Sequence, residues 1–157
     1  MPALVNLSTD GPIATISLNR PEKRNAINPE LIADFHTVLD ALEATDGVRV
    51  VVLTGTGSAF CAGMDLRGVL DDPAAMAQML QGLSRGLHRL RSLAYPTIAR
   101  VNGAAVGGGC GLAIVPDFTI ASKEATMGFP EVDLGVCPAV VAPWLIMRIG
   151  AGPARAM

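Results

Sequence analysis

Short runs of alternating apolar and polar residues open the chain, Ala3–Leu7 and Ile13–Leu18, with Asp10-Gly11-Pro12 between them. A half-buried strand shows this period of two, and the intervening Gly-Pro pair marks a turn, so the opening reads as β-turn-β. The period then changes. Asn28-Pro29 supplies a capping side chain and a first-turn proline, and Leu31, Phe35, Val38 and Leu42 recur on one face, which predicts a helix to about Ala44. After Arg49 the run Val50-Val51-Val52-Leu53-Thr54 is continuously apolar and β-branched, the pattern of a strand covered on both faces, and it ends at Gly55-Thr56-Gly57. A loop carrying Phe60 to Leu66 follows. Asp72-Pro73 caps a second helix with an apolar stripe of Met76, Leu80, Leu83, Leu87 and Leu90, closed before Pro96 and the strand Thr97–Val101. Further on, the pattern predicts a buried helix over Gly108–Val115, strands at Phe118–Ala121 and Thr126–Met127, and a last helix over Val140–Ile149. Strands alternating with helices from Arg49 onward imply a mostly parallel α/β arrangement. No repeat, low-complexity tract or linker divides residues 1–157, so a single domain is expected.

Composition narrows the function classes. A chain of 157 residues buries about 68–70% of its unfolded surface. Half the residues are apolar but only 4% are aromatic, so Ala, Val, Leu and Ile do the packing. The net charge of -2 leaves no basic footprint for nucleic acid. Cys61, Cys110 and Cys137 are odd in number, widely spaced and set in apolar or Gly-rich sequence, so they read as reduced core thiols without a disulfide frame or metal site. The N-terminal residues lack the basic and apolar regions of a signal peptide, and the apolar stretch Leu93–Val115 is broken by Pro96, Arg100, Asn102 and five glycines. A cytoplasmic, non-membrane protein is the expectation.

Two glycine-rich loops follow two of the strands, and in parallel α/β sheets ligands sit beyond the strands' carboxyl ends. One is Ala59-Phe60-Cys61-Ala62-Gly63-Met64-Asp65; the other lies in Val101-Asn102-Gly103-Ala104-Ala105-Val106-Gly107-Gly108-Gly109-Cys110-Gly111. Glycine lets a ligand approach the main chain, and amides at a helix start have no intrahelical partner, which is how an oxyanion hole is built. A nucleotide reading fails, because Gly55-x-Gly57 lacks the third glycine of a dinucleotide fingerprint and no glycine loop runs into Lys-Ser/Thr. Phe129-Pro130-Glu131-Val132 places one carboxylate in an apolar setting, where a proton-moving group would be tuned. His36, sharing a helix face with Asp40, and His88, one position past Leu87, read as exposed polar-face residues. Cys61 and Cys110 read as packing residues, Asp65 as a cap for the following turn in preference to a residue that orients the loop, and the stripe on the second helix as core or subunit interface.

Together these segments resemble the crotonase, or enoyl-CoA hydratase/isomerase, superfamily, over essentially the whole chain. Asn19-Arg20-Pro21-Glu22-Lys23-Arg24-Asn25-Ala26 is similar to its N-terminal signature, and Leu53-Thr54-Gly55 through Leu66 to its first oxyanion loop. The Gly107 triplet with Pro116-Asp117-Phe118 is similar to the second, and Phe129–Val132 with Leu134-Gly135 to the acid-bearing segment. The resemblance implies an α/β fold of the crotonase-like ββα spiral kind (the ClpP/crotonase fold). It also implies an acyl-CoA substrate with no cofactor beyond the coenzyme A the substrate carries, no metal, and a homo-oligomer, a trimer or hexamer. By position, the amides of Met64 and Gly108 would hold the thioester oxygen and Glu131 would move the proton. Lys23 and Arg24 would lie near the coenzyme A phosphates, with Ala62, Gly63, Asp65 and Leu66 beside the adenine and Gly107 lining the site.

The sequence departs from the resemblance at two places. Gly111 stands where hydratases of the superfamily carry the first of two glutamates, so one carboxylate is missing, as in 3-enoyl to 2-enoyl isomerases and in some hydratase-like members. Members of the superfamily also continue beyond the segment matching Gly150–Arg155 into helices that close the acyl pocket. Two readings stand at this point: an enoyl-CoA hydratase or isomerase working through an enolate, and a non-catalytic acyl-CoA-binding or truncated member.

Overall fold

A computed structural model describes residues 2–67, 69 and 71–156. Strands β1 (Val5–Asp10) and β2 (Ile13–Leu18) form the expected hairpin, paired antiparallel from Val5↔Leu18 to Asp10↔Ile13. Strands β3 (Val50–Gly55), β5 (Thr97–Val101) and β7 (Phe118–Ala121) then add in parallel, giving a five-stranded sheet in the order β1-β2-β3-β5-β7. A second sheet, which the pattern of the chain did not reveal, stands beside the first. It is made of β4 (Ala59–Cys61), β6 (Ala104–Val106) and β8 (Met127–Gly128), all parallel, in the order β4-β6-β8. From β3 onward each turn of the chain therefore runs through one strand of the large sheet, one short strand of the small sheet and then a helical segment. That is the ββα spiral.

Helix α1 (Pro29–Glu43) starts where Asn28 accepts the Leu31 N–H at 2.9 Å, and α2 (Pro73–Arg91) where Asp72 Oδ1 accepts Ala74 N–H and Ala75 N–H at 3.0 Å. Such caps satisfy amides that have no partner in the helix and contribute about 1 kcal/mol each. Leu31, Phe35, Val38, Leu39 and Leu42 of α1 are buried against α2 and the large sheet. The buried face of α2 is Met79, Leu83, Leu87 and Leu90 with Gly82 and Gly86, while Met76 and Leu80 are only half-buried. Both glycines have a steric reason: a Cβ at Gly82 would stand 2.8 Å from Ile32 Cγ2, and one at Gly86 3.1 Å from Phe35 Cδ1. The α2 stripe is thus mostly core within this chain; exposed large apolar residues are elsewhere, among them Phe118 and Ile120 on β7 and Ile146, Met147 and Ile149 on α4 (Ala142–Ile149).

Three further differences have local causes. The helix expected over Val140–Ile149 ends as predicted at Ile149 but starts at Ala142, and beyond Gly150, at φ 84°, a further short helix follows, α5 (Ala151–Arg155). His36 is half-buried, not exposed, because α2 comes close enough for its Nε2 to bond the Gly82 carbonyl at 3.1 Å. Cys137 is exposed, whereas Cys61 and Cys110 are buried as expected. Burial pushes the Cys61 thiol up to about 12 and the Cys110 thiol up to about 11, so neither supplies thiolate at neutral pH. Native protein should therefore titrate one fast thiol per chain with a disulfide reagent, and denatured protein all three. Fast reaction of a second native thiol would contradict this burial. Among the described residues no helix is long and apolar enough to cross a membrane.

Candidate active site

The small sheet positions the chemistry. Its strands are parallel, so their carboxyl ends share one edge, and each runs into one of the groups singled out by the sequence. β4 leads to Gly63-Met64, the central β6 to Gly107-Gly108, and β8 to Phe129-Pro130-Glu131.

Behind β4, the loop is tied down on one side by the turn Arg20–Ile27. Ala62 N–H donates to the Arg24 carbonyl at 2.9 Å, and Cys61 Sγ to the Asn25 carbonyl at 3.1 Å. Ile27 N–H donates to the Gly63 carbonyl at 2.8 Å, and Asp65 N–H to the Ile27 carbonyl at 2.7 Å. This is a parallel bridge between Ile27 and Met64, in which the partner's neighbours make both bonds. Met64's own N–H consequently faces away from Ile27, and among the described residues it donates to no backbone or side-chain acceptor. Gly63 has φ +83°, and a Cβ there would stand 2.9 Å from the Val106 carbonyl oxygen, so only glycine lets this loop lie against the end of β6.

From β6 the chain enters α3 (Gly108–Ile114) through Gly107, at φ 53° and ψ -123°. Gly107 N–H is held by the Gly128 carbonyl at 2.9 Å, which leaves Gly108 as the first helical residue, its N–H without an intrahelical partner. A Cβ on Gly108 would stand 3.6 Å from Met64 Cγ, so the two residues adjoin.

The same bond from Gly107 to Gly128 brings in the carboxylate. Three residues beyond Gly128, Glu131 lies in a 3-10 turn, Pro130–Leu134, that starts at a proline and closes on the left-handed Gly135, φ 74°. Both carboxylate oxygens of Glu131 lie 3.2 Å from the point where a Cβ on Gly107 would stand. Gly107 thus admits the carboxylate to its α-carbon, and Glu131 is half-buried there. Buried Cys110 is close enough to feel the Glu131 charge, a smaller contribution than burial to its raised thiol pKa.

The sequence profile of the enoyl-CoA hydratase/isomerase family matches residues 8–157. The chain belongs to that family. It is 39% identical over 151 residues to the 1,2-epoxyphenylacetyl-CoA isomerase of Escherichia coli, covering 92% of this chain and 57% of that protein. It is 40% identical over 140 residues to the hydroxycinnamoyl-CoA hydratase-lyase of Pseudomonas fluorescens, covering 85% and 51%. The crystal structure of an enoyl-CoA hydratase from Bacillus anthracis superposes with a TM-score of 0.92 at 29% identity, covering 98% of this chain and 61% of that one. The fold is the crotonase fold, and the chain spans about three fifths of the length of the relatives it matches.

Of the residues predicted for an acyl-CoA site in this enoyl-CoA hydratase/isomerase family member, Met64, Gly107, Gly108 and Glu131 come together at the edge of the small sheet. Lys23 and Arg24 are exposed on the turn whose backbone is bonded to Ala62, so the Lys23–Arg24 turn and the Ala62–Leu66 loop are contiguous. Leu66 is exposed and Ala62 half-buried. Asp65 does more than cap the following turn. Its Oδ2 pairs with Arg20 Nη1 at 2.8 Å, and this bond, aided by the Arg67 amide, holds the Asp65 carboxyl below the usual range against a partial desolvation penalty. Two residues of the N-terminal signature without a role assigned from sequence have a structural one. Arg20 is one; the other is Asn25, fully buried at φ 56°, whose side chain accepts Arg20 N–H and donates to the Thr56 and Ala59 carbonyls.

Gly111 is filled space. A Cβ there would stand 2.8 Å from Val141 Cγ2, 3.3 Å from Val141 Cγ1 and 3.4 Å from Leu87 Cδ1. Val141 also packs with Cys110, Ile114, Phe129 and Leu145 in a separate apolar cluster beside the site. The open trough lined by His36, Arg85, His88 and Arg89 is on α1 and α2 and shares no residue with this arrangement.

Proposed function

We propose that the chain acts on an enoyl-CoA thioester through an enolate, with the Met64 and Gly108 amides holding the oxygen and Glu131 moving the proton. One observation carries the reading: three parallel strands of one small sheet deliver two amides without a described partner and one carboxylate to a common edge. Taking a proton from the carbon beside a thioester puts negative charge on the carbonyl oxygen. Fixed amides stabilise that charge more than the neutral ground state, and so lower the barrier. Glu131 takes the proton from one carbon of the substrate and can return it at another.

The filled space at Gly111 favours isomerisation of a 3-enoyl to a 2-enoyl thioester over hydration. Hydration needs a water held and oriented as well as a proton moved, and the methyls of Val141 occupy the place where a second carboxylate would project. A single base that removes and redelivers one proton needs no such anchor. The test is absorbance of the conjugated enoyl thioester after mixing the chain with crotonyl-CoA and, separately, with a 3-enoyl-CoA. The expected result is a gain from the 3-enoyl substrate that outpaces any loss from crotonyl-CoA. Faster loss from crotonyl-CoA would establish hydration, and silence with both, in a folded sample that binds the esters, would support a non-catalytic acyl-CoA-binding protein.

A further inference from the structure

Arg20 is on the N-terminal turn and not among the residues at the site's edge, yet one of its bonds ends on the loop that carries Met64. Its Nη1 donates to Asp65 Oδ2 at 2.8 Å and to the Ala26 carbonyl at 3.0 Å, and its backbone N–H donates to Asn25 Oδ1 at 2.9 Å. Ala26 and Asp65 flank the two members of the Ile27–Met64 bridge, so one guanidinium fastens the residue before Ile27 to the residue after Met64. The ion pair is largely sheltered, at 14% and 17% side-chain exposure, so solvent screens it less than a surface pair.

Resting on the reading of the Met64 amide as an oxyanion donor, we propose that Arg20 is a positioning residue that sets the direction of that amide through Asp65 and Ala26. Without the clamp, the loop is tied to the turn ahead of Met64 by the bonds from Ala62 and Cys61, while at the bridge itself the described ties are the two bonds between Ile27 and Met64's neighbours, Gly63 and Asp65. The Gly63-Met64 segment also carries a left-handed glycine, a joint about which the next peptide can rotate once Asp65 is released. A rotated peptide still binds the ester through its other contacts but aims its N–H away from the oxygen.

The experiment is infrared difference spectroscopy of crotonyl-CoA labelled with carbon-13 at the thioester carbonyl, at saturating ester. The unsubstituted chain is compared with Arg20→Gln, Asp65→Asn and the conservative Arg20→Lys, all checked for folding by circular dichroism. Hydrogen bonding by the two amides lowers the carbonyl frequency of the bound ester in the unsubstituted chain. The proposal expects Arg20→Gln and Asp65→Asn to lose part of that shift while still binding ester, with Arg20→Lys recovering some of it. Where turnover is measurable, kcat should fall by about 10²-fold with KM little changed, the mark of misplacement at the reacting atom. A full shift in any folded clamp variant, Arg20→Gln or Asp65→Asn, overturns the role of Arg20 while leaving the two-amide reading in place. No shift in the unsubstituted chain with ester bound overturns that reading and this inference with it.

Discussion

Glu131→Gln should reduce turnover of an enoyl-CoA by about 10²–10⁴-fold, the range a positioned acid/base contributes, while leaving ester binding and folding nearly unchanged. Glutamine has the size of glutamate and still fits over the bare α-carbon of Gly107, 3.2 Å from each oxygen to the absent Cβ position. What it lacks is a site that can take and return a proton. The backbone that holds the side chain is fixed independently of its charge, by Pro130, by the left-handed Gly135 and by the Val136 N–H bond to the Glu131 carbonyl at 3.0 Å. Stability should therefore move by no more than about 0.5 kcal/mol, as for a substitution that removes no packing. Steady-state rates with the better of the two enoyl substrates, set beside an unfolding curve, check both halves. A variant that keeps its rate would remove Glu131 from the chemistry.

Gly109→Ala should damage the fold more than any change to the charged residues of the site. An added Cβ would collide with the Cys61 carbonyl oxygen and stand 2.7 Å from Cys61 Cβ and 2.8 Å from Sγ. Neither neighbour can yield, since Cys61 is in β4, fully buried, with its thiol bonded to the Asn25 carbonyl. One methyl group therefore has to separate α3 from β4, and overpacking of this kind typically costs about 1–3 kcal/mol. It also separates Gly108 from Met64, since they leave those same two elements. Urea unfolding should show a lower midpoint, and the bound thioester should lose part of its carbonyl shift even in the fraction that stays folded. Gly152, where an added Cβ would meet nothing within 4 Å, is the control: alanine there should leave the midpoint where it was.

These two residues also show where the chain is legible and where it is not. The large sheet and its helices announce themselves: β3 is a continuous β-branched run, and α1 and α2 carry caps and apolar spacing that survive almost residue for residue. β4 and β6 do not, because Ala-Phe-Cys and Ala-Ala-Val are too short and too small to display a period of two, while β8 is anticipated one residue early, at Thr126–Met127. Their glycine-bounded exits could still be read, so Met64, Gly108 and Glu131 could be singled out by position, through the resemblance, without the sheet that carries them. Their mutual placement could not, since it depends on parallel pairing between segments distant in the chain, at Ala59↔Ala104 and Ala105↔Met127. Nor can a sequence show that Gly111 is occupied by a valine thirty positions on, or that Arg20 reaches Asp65, because both contacts depend on how distant turns of the spiral stack.

Exchange of the proton beside the thioester tests the central claim most directly, because it asks for the enolate without asking which product follows. Butyryl-CoA, incubated with the chain in deuterium oxide and read by mass spectrometry, should gain deuterium at the carbon next to the thioester, and Glu131→Gln should abolish that gain. Bound ester with no exchange above the rate in solvent, or exchange that survives Glu131→Gln, would contradict it.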